Sequence, residues 1–440
     1  MPKNKIITNP MAKIFIHDEL QAEDNAMLQA LYSRSAKSVE EHMEKVKATG
    51  SGKFMETFYV GYGHNSIADC GSTTLFIEGL SIIADKAIQD WPLYSGQETS
   101  TRYVDMAKQP IIDPIGRTDT MQIMINWMNF YNRAEEPLKD HLRKLYPRRA
   151  EEKEEQYEKA IATRGFDIRR AFLPAGITTQ LSWHTNLRQA HDKLDLLRHW
   201  PVSEIQEIAE KMLRLLKVKY KHSFNHEIWP DQEAYRKEIM TKHAFYAPTQ
   251  ATNFAFHTNI KQSELYQYKE EIVNRPIKTN LPLFLGELGN CRFDFLLDYG
   301  SFRDIQRHRN GTCRIPLLNT GLGFNAWYLE QLPINLLQEA LELIADQKQL
   351  IDDLDITPEL RQYYVALGFN VQCRVAYNLP ATIYVVELRS GRLVHPTLRK
   401  VAHLMHASLK AEFPELTLHS DLDPSDWDVR RGEQDIVERK

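Results

Sequence analysis

Residues 12–18, Ala12-Lys13-Ile14-Phe15-Ile16-His17-Asp18, alternate apolar and polar with the two-residue period of a strand. Thr73-Thr74-Leu75-Phe76-Ile77 predicts a second strand from its β-branched and aromatic content. Helical spacing runs from about Asn25 to Lys47, stopped by Gly50-Ser51-Gly52, and again from Asp119 to Tyr146. The charged run Arg148 to Lys159 reads as a solvated helical face. Helices are expected over Leu187–Arg198 and Ser203–Lys219. From His222 to Thr249 the period fades, and Trp229-Pro230 and Ala247-Pro248 read as breaks. A boundary is drawn there, giving domains 1–222 and 223–425 and a charged tail 426–440.

The second half repeats the first in outline. A strand at Arg292–Leu297 precedes a short helix and Arg307-His308-Arg309; helices follow at Ile334–Asp353, Pro358–Leu367 and Pro396–Phe413. Asn186-Leu187 comes twelve positions before Arg198, and Asn378-Leu379 comes eleven before Arg389. Ile77–Ser81 takes the slot of Asp294–Asp298, which sets Asp90-Trp91-Pro92 opposite Arg307-His308-Arg309.

Composition narrows the function classes. The chain has 440 residues, long enough for two or three domains at about 150 residues each. Lys plus Arg is 55 and Asp plus Glu is 59, a net charge of −4 that argues against a broad nucleic-acid surface yet allows a local anion pocket. No apolar run approaches the roughly 18 residues of a membrane span, and the start Met1-Pro2-Lys3 lacks a signal core, so no membrane partner is expected. The four cysteines, Cys70, Cys291, Cys313 and Cys373, form no CxxC pair, which points to a reducing cytoplasm.

Two segments can carry chemistry. Ser95–Tyr103 gathers hydroxyls, a carboxylate and a guanidinium; in extended chain Glu98, Ser100 and Arg102 share one side, suited to a ligand with an anionic end and a hydrogen-bonding ring. Its plain alternative is a polar loop with a structural ion pair. Arg307-His308-Arg309 sets two guanidiniums around an imidazole, a group that attracts an anion unless it is merely a solvated basic turn. His403 and His406 have metal-ligand spacing but no third ligand, so no metal is expected. Gly61-Tyr62-Gly63-His64-Asn65-Ser66 lacks the third glycine of a dinucleotide fingerprint.

Gly63-His64-Asn65-Ser66, Ile77–Ser81 and Ser95-x-x-Glu98-x-Ser100-x-Arg102-Tyr103, followed by Arg170–Pro174, Asn186-Leu187-Arg188 and Ser203–Gln206, resemble the flavin-dependent thymidylate synthases over about Ala12 to Leu216. The family pattern is RHR-x-x-S-x-x-E-x-S-x-R-Y. Here the first half carries Asp90-Trp91-Pro92 in place of RHR and keeps the rest. The second half keeps RHR but has Thr312, Ile315, Leu317, Asn319 and Thr320 in the other slots, with Pro380 and Ala407 opposite Arg188 and Arg214.

The resemblance implies an α+β fold of two tandem domains, each a mostly antiparallel sheet with flanking helices. It implies methylation of dUMP to dTMP with FAD, NADPH and methylenetetrahydrofolate, in composite sites of a homodimer that forms a pseudo-tetramer. Glu98, Ser100, Arg102, Tyr103, Arg188 and Arg214 are the implied dUMP ligands; Arg307, His308 and Arg309, with His64 and Ser66, are the implied cofactor residues. Arg188, Ser100 and His308 are the implied catalytic groups, and Tyr103 and His64 are implied to orient folate. Two alternatives stand beside this reading: a flavin- and nucleotide-binding paralogue with lost or redirected pyrimidine chemistry, and a non-enzymatic interaction scaffold.

Overall fold

The computed structural model describes residues 19–35, 37–101 and 104–423. The strand expected at 12–18, Arg102, Tyr103 and the tail from 424 onward lie outside the described residues. By packing, the chain falls into two compact units. One gathers residues 1–74, 184–194 and 211–228; the other holds 75–183, 195–210 and 229–440.

In the first unit the helix expected over 25–47 is two helices, Ala22–Tyr32 and Val39–Thr49. Ser38 starts the second with a capping box, its backbone N–H donating to the Glu41 carboxylate at 3.2 Å. Gly50, at φ 66°, ends it, as the sequence suggested. Met27, Leu28, Met43 and Val46 fuse the two helices into one small core.

The fold is α+β, with two sheets and flanking helices. The first sheet has strands β1 (Ser72–Ser81), β2 (Ser95–Glu98) and β3 (Thr178–Asn186), in the order β1-β3-β2. The second has β4 (Phe254–Thr258), β5 (Asn290–Asp298), β6 (Gly311–Arg314) and β7 (Asn370–Asn378), all antiparallel in the order β4-β5-β7-β6.

One element order occurs twice. Strand β1, helix Ile82–Gln89, β2, a 3-10 turn Arg170–Phe172, β3 and helices Leu187–Leu197 and Ser203–Lys219 make the first run. Strand β5, helix Tyr299–Ile305, β6, a 3-10 turn Gln362–Tyr364, β7 and helices Leu379–Arg389 and Pro396–Glu412 make the second. Equivalent residues even share jobs: Ser81 caps Ile82–Gln89 by accepting from the Ala84 N–H, and Asp298 caps Tyr299–Ile305 by accepting from the Ser301 N–H.

The two runs meet in the second unit through a reciprocal backbone bridge. Ala175 and Gly176 donate to the carbonyls of Val365 and Tyr363, both at 2.9 Å, while Leu367 and Gly368 donate back to Leu173 and Ala171 at 2.9 and 2.8 Å. Around it, the buried Trp127, Phe172 and Phe369 and the half-buried Phe324 form one aromatic cluster, and the Trp127 indole donates to the Tyr364 carbonyl at 3.0 Å. Where the periodicity faded, the chain forms a helix, Pro230–His243. Pro230 sits at its first turn, where a missing N–H costs nothing, so the apparent breaker is a starter. Among the described residues, no helix is long and apolar enough to cross a membrane.

Candidate functional site

The capping at Asp298 sets where the basic triplet emerges. Its carboxylate accepts from the Ser301 N–H at 2.8 Å and the Tyr328 hydroxyl at 2.7 Å, anchoring a helix that stops at Ile305. The His308 N–H donates back to the Ile305 carbonyl at 3.1 Å, turning the chain so that residues 307–309 form a short loop ahead of β6.

That loop lines a concavity of about 420 Å³ with Pro92 and Tyr94 from the first half and helix Leu379–Arg389 from the second. The volume lies within the range of small-molecule pockets. Arg307, Arg309 and Arg389 supply its cationic side. Ala381, Tyr384, Val385 and Leu388, one stripe of the helix, supply an apolar and aromatic side. No carboxylate is among the described residues that line it. Burial, and then repulsion from Arg307, lowers the pKa of Arg309 and of Arg389. Such crowding favours an anionic ligand, and the opposite wall favours a planar ring.

Arg309 lies with its guanidinium 4.6 Å from the Tyr94 ring centre and donates to the Gln89 carbonyl at 3.1 Å and to the Gln89 side-chain oxygen at 3.3 Å. His308 accepts a hydrogen bond from Arg389 Nε at 2.7 Å.

Beneath the loop lies a charge cluster that sequence reading did not find. Glu98, whose side chain is only 5 % exposed, pairs with Arg303 at 2.9 Å and Arg307 at 3.3 Å through one oxygen. Its other oxygen accepts from Lys86 at 2.5 Å and from the Gln89 amide. Thus Glu98, expected at a nucleotide, is here the counter-ion of the second half's basic loop. Asp85, fully buried beside it, accepts from the Gln89 amide at 2.9 Å and lies 3.3 Å from Lys86. The available signal was a charged pair, Asp85-Lys86, inside the apolar run Ile82–Ile88.

Strand β2 ends at Glu98, and the Ser100 carbonyl accepts from the Val104 N–H at 3.1 Å, so the extended alternation through Ser100 stops. Arg102 and Tyr103 are outside the described residues. In the first unit, Arg188 pairs with Asp69 at 2.7 Å, His64 stacks near Phe58 with ring centres 6.2 Å apart, and Ser66 sits in the short helix Asn65–Ala68. Arg214 is exposed on helix Ser203–Lys219. Glu204, from the Ser203–Gln206 string, holds structure: it accepts from the Ser81 N–H at 2.8 Å, the Ser81 hydroxyl at 2.6 Å and the Tyr363 hydroxyl at 2.6 Å. His403 and His406 bond to the Asp421 carbonyl and the Ser420 hydroxyl, each at 2.9 Å. Among the described residues no group of three or more His, Cys, Asp or Glu could hold a metal ion.

Comparison with known proteins adds a family. Residues 16–220 match the family model described as thymidylate synthase complementing protein. Relatives named UPF0159 proteins match over most of the chain. A UPF0159 protein of Chlamydia pneumoniae is 24% identical over 417 residues, covering 79% of this chain and 76% of that one. A UPF0159 protein of Chlamydia muridarum is 24% identical over 399 residues, with 78% and 75% covered. A UPF0159 protein of Thermoplasma acidophilum is 21% identical over 471 residues, with 89% and 94% covered.

Proposed function

We propose, for a chain whose residues 16–220 match the thymidylate synthase complementing family, that it is a flavin-dependent pyrimidine-nucleotide methyltransferase made by tandem duplication. Its substrate is dUMP, its product dTMP, its one-carbon donor methylenetetrahydrofolate and its reductant NADPH. The observation that carries this reading is the pairing of Glu98, from the motif retained in the first half, with Arg307, from the triplet retained in the second. Glu98 and Arg307, one residue from each half-motif, meet within one chain although 209 positions separate them.

The concavity fits FAD by its donor set: arginines for a phosphate or a reduced ring, and the Tyr384–Leu388 stripe for a planar face. When bound, flavin supplies hydride and relays the one-carbon unit. Arg307 and Arg309 neutralise negative charge there, and Arg309 is held in place by Gln89 and Tyr94. Glu98 keeps Arg307 and Arg303 in register instead of touching the nucleotide. Ser100 and Arg102 are assigned to dUMP, Arg102 by a forked contact.

Arg309→Ala should weaken flavin retention roughly ten- to a hundredfold, the worth of one charge-assisted hydrogen bond. Visible flavin absorbance after gel filtration measures it. Tritium release from 5-labelled dUMP, with methylenetetrahydrofolate and NADPH present, tests the reaction itself. Release at background in flavin-loaded protein would overturn the dUMP reading. It would favour a paralogue with redirected pyrimidine chemistry, which the full engagement of Glu98 already makes the second reading.

A further inference from the structure

We propose that Arg389 is the positioning residue of this site, fixing His308 as a neutral imidazole whose single N–H is on Nδ1. The inference rests on the cofactor reading for its purpose and on geometry alone for its content.

A guanidinium N–H can only donate, and arginine does not give up its charge in proteins. Arg389 Nε lies 2.7 Å from His308 Nε2, so that nitrogen must offer a lone pair. The guanidinium is itself pinned, because its Nη2 donates to the Asp304 carbonyl at 2.6 Å. Asp304 belongs to the same helix, Tyr299–Ile305, from whose end residues 307–309 issue. Arg389 therefore ties the end of helix Leu379–Arg389 to His308 in the basic loop and to Asp304 in the helix that precedes it.

Of the four charges that act most strongly on His308, three push the same way. Arg307 and Arg309 flank His308 on its own loop and Arg389 faces it from the helix opposite; Asp304 is the fourth, and it opposes them. Tyr384, from that helix, meets the imidazole edge-on at 6.0 Å, and Tyr377 of β7 and Tyr94 complete the surrounding ionisable groups. Burial, followed by Arg389, lowers His308 to about 3. The triplet thus presents two charges around a neutral donor, not three charges. Anion affinity then stays constant across the physiological range, while an ordinary histidine there would make it vary.

The first half supplies an internal contrast. Its slot for His308 holds Trp91, and Arg198, just beyond helix Leu187–Leu197, pairs instead with Asp195 at 3.2 Å and Glu233 at 3.1 Å. The arginine-to-histidine bond goes with the basic triplet.

Long-range proton–nitrogen NMR of the full chain labelled with ¹⁵N-histidine is the test, with His308 identified by loss of its signals in His308→Asn. The expected result is an Nδ1–H tautomer that does not titrate between about pH 5 and 8. Arg389→Met should raise the titration of His308 towards the ordinary 6.5, with burial still holding it below that value. It should also make inorganic pyrophosphate bind about tenfold tighter at the acid end of that range than at the other. Arg389→Lys, which keeps a donor, should retain the lowered titration in part. An Nε2–H tautomer, or titration near 6.5, would overturn the proposal; both are read in the unaltered chain, and His308→Asn serves only to assign the signals. A confirmed tautomer in a chain that takes up no flavin would leave this inference standing and sink the cofactor reading.

Discussion

Two adjacent carboxyls under the basic loop titrate in opposite senses. Burial, then the charge of Glu98, pushes Asp85 up to about 7 from its ordinary 3.8. Burial alone would raise Glu98 too, but the Arg303 and Lys86 charges hold it well below its ordinary range. Asp85 thus keeps a proton in the folded chain that the unfolded chain has already released above 3.8. Its contribution is complete below that value and is lost as pH rises towards 7, at up to about 1.4 kcal/mol per pH unit. Asp85→Asn should flatten that slope. Urea midpoints of both proteins at pH 5 and pH 7 would show it, with the unaltered chain losing more on the alkaline side. Sequence alone could not assign these groups, because burial decides Asp85 and the strongest charge on Glu98, Arg303, is 205 residues away.

Elements were legible where local signals agreed. Asn186 precedes helix Leu187–Leu197 and Ser203 opens helix Ser203–Lys219, whose bounds the periodicity gives to within a residue. Reading failed where one residue type has two meanings. Pro230 starts a helix, and Pro358 starts one that runs only to Arg361 before tightening into the turn Gln362–Tyr364, because the next residues must enter the bridge between the halves. Glu204 illustrates the other limit. The resemblance put its string in the matched region, yet the side chain fastens the β1–helix junction to Tyr363. Glu204→Ala leaves the Ser81 N–H and the Tyr363 hydroxyl without this acceptor and should cost about 2–4 kcal/mol. Urea denaturation measures the loss, and Glu204→Gln, which can still accept, should lose less.

For the molecule as a whole, the reciprocal bridge at Ala175–Gly176 and Leu367–Gly368 joins the two runs. A Cβ on Gly176 would stand 2.6 Å from the Ile112 carbonyl oxygen and 3.1 Å from that of Tyr363, both backbone atoms that cannot swing aside. Gly176→Ala should destabilise the chain by about 2 kcal/mol or more through overpacking, read as a lowered melting temperature with flavin absent. The basic triplet and its apolar wall were half visible in the sequence: Arg307-His308-Arg309 as a string and Arg389 as a repeated landmark, but not the 2.7 Å contact between them across 81 positions. The Glu98 cluster has one more consequence, in time. The ribosome makes Glu98 about 205 residues before Arg303, an interval of roughly 10–40 s at ordinary elongation speeds. Throughout that interval the nascent first half would have to bury Asp85 and Glu98 without the downstream guanidiniums. The emerging polypeptide should therefore stay unfinished around residues 82–101 until translation passes Arg307, and a chain truncated before Arg303 should be a client of chaperones.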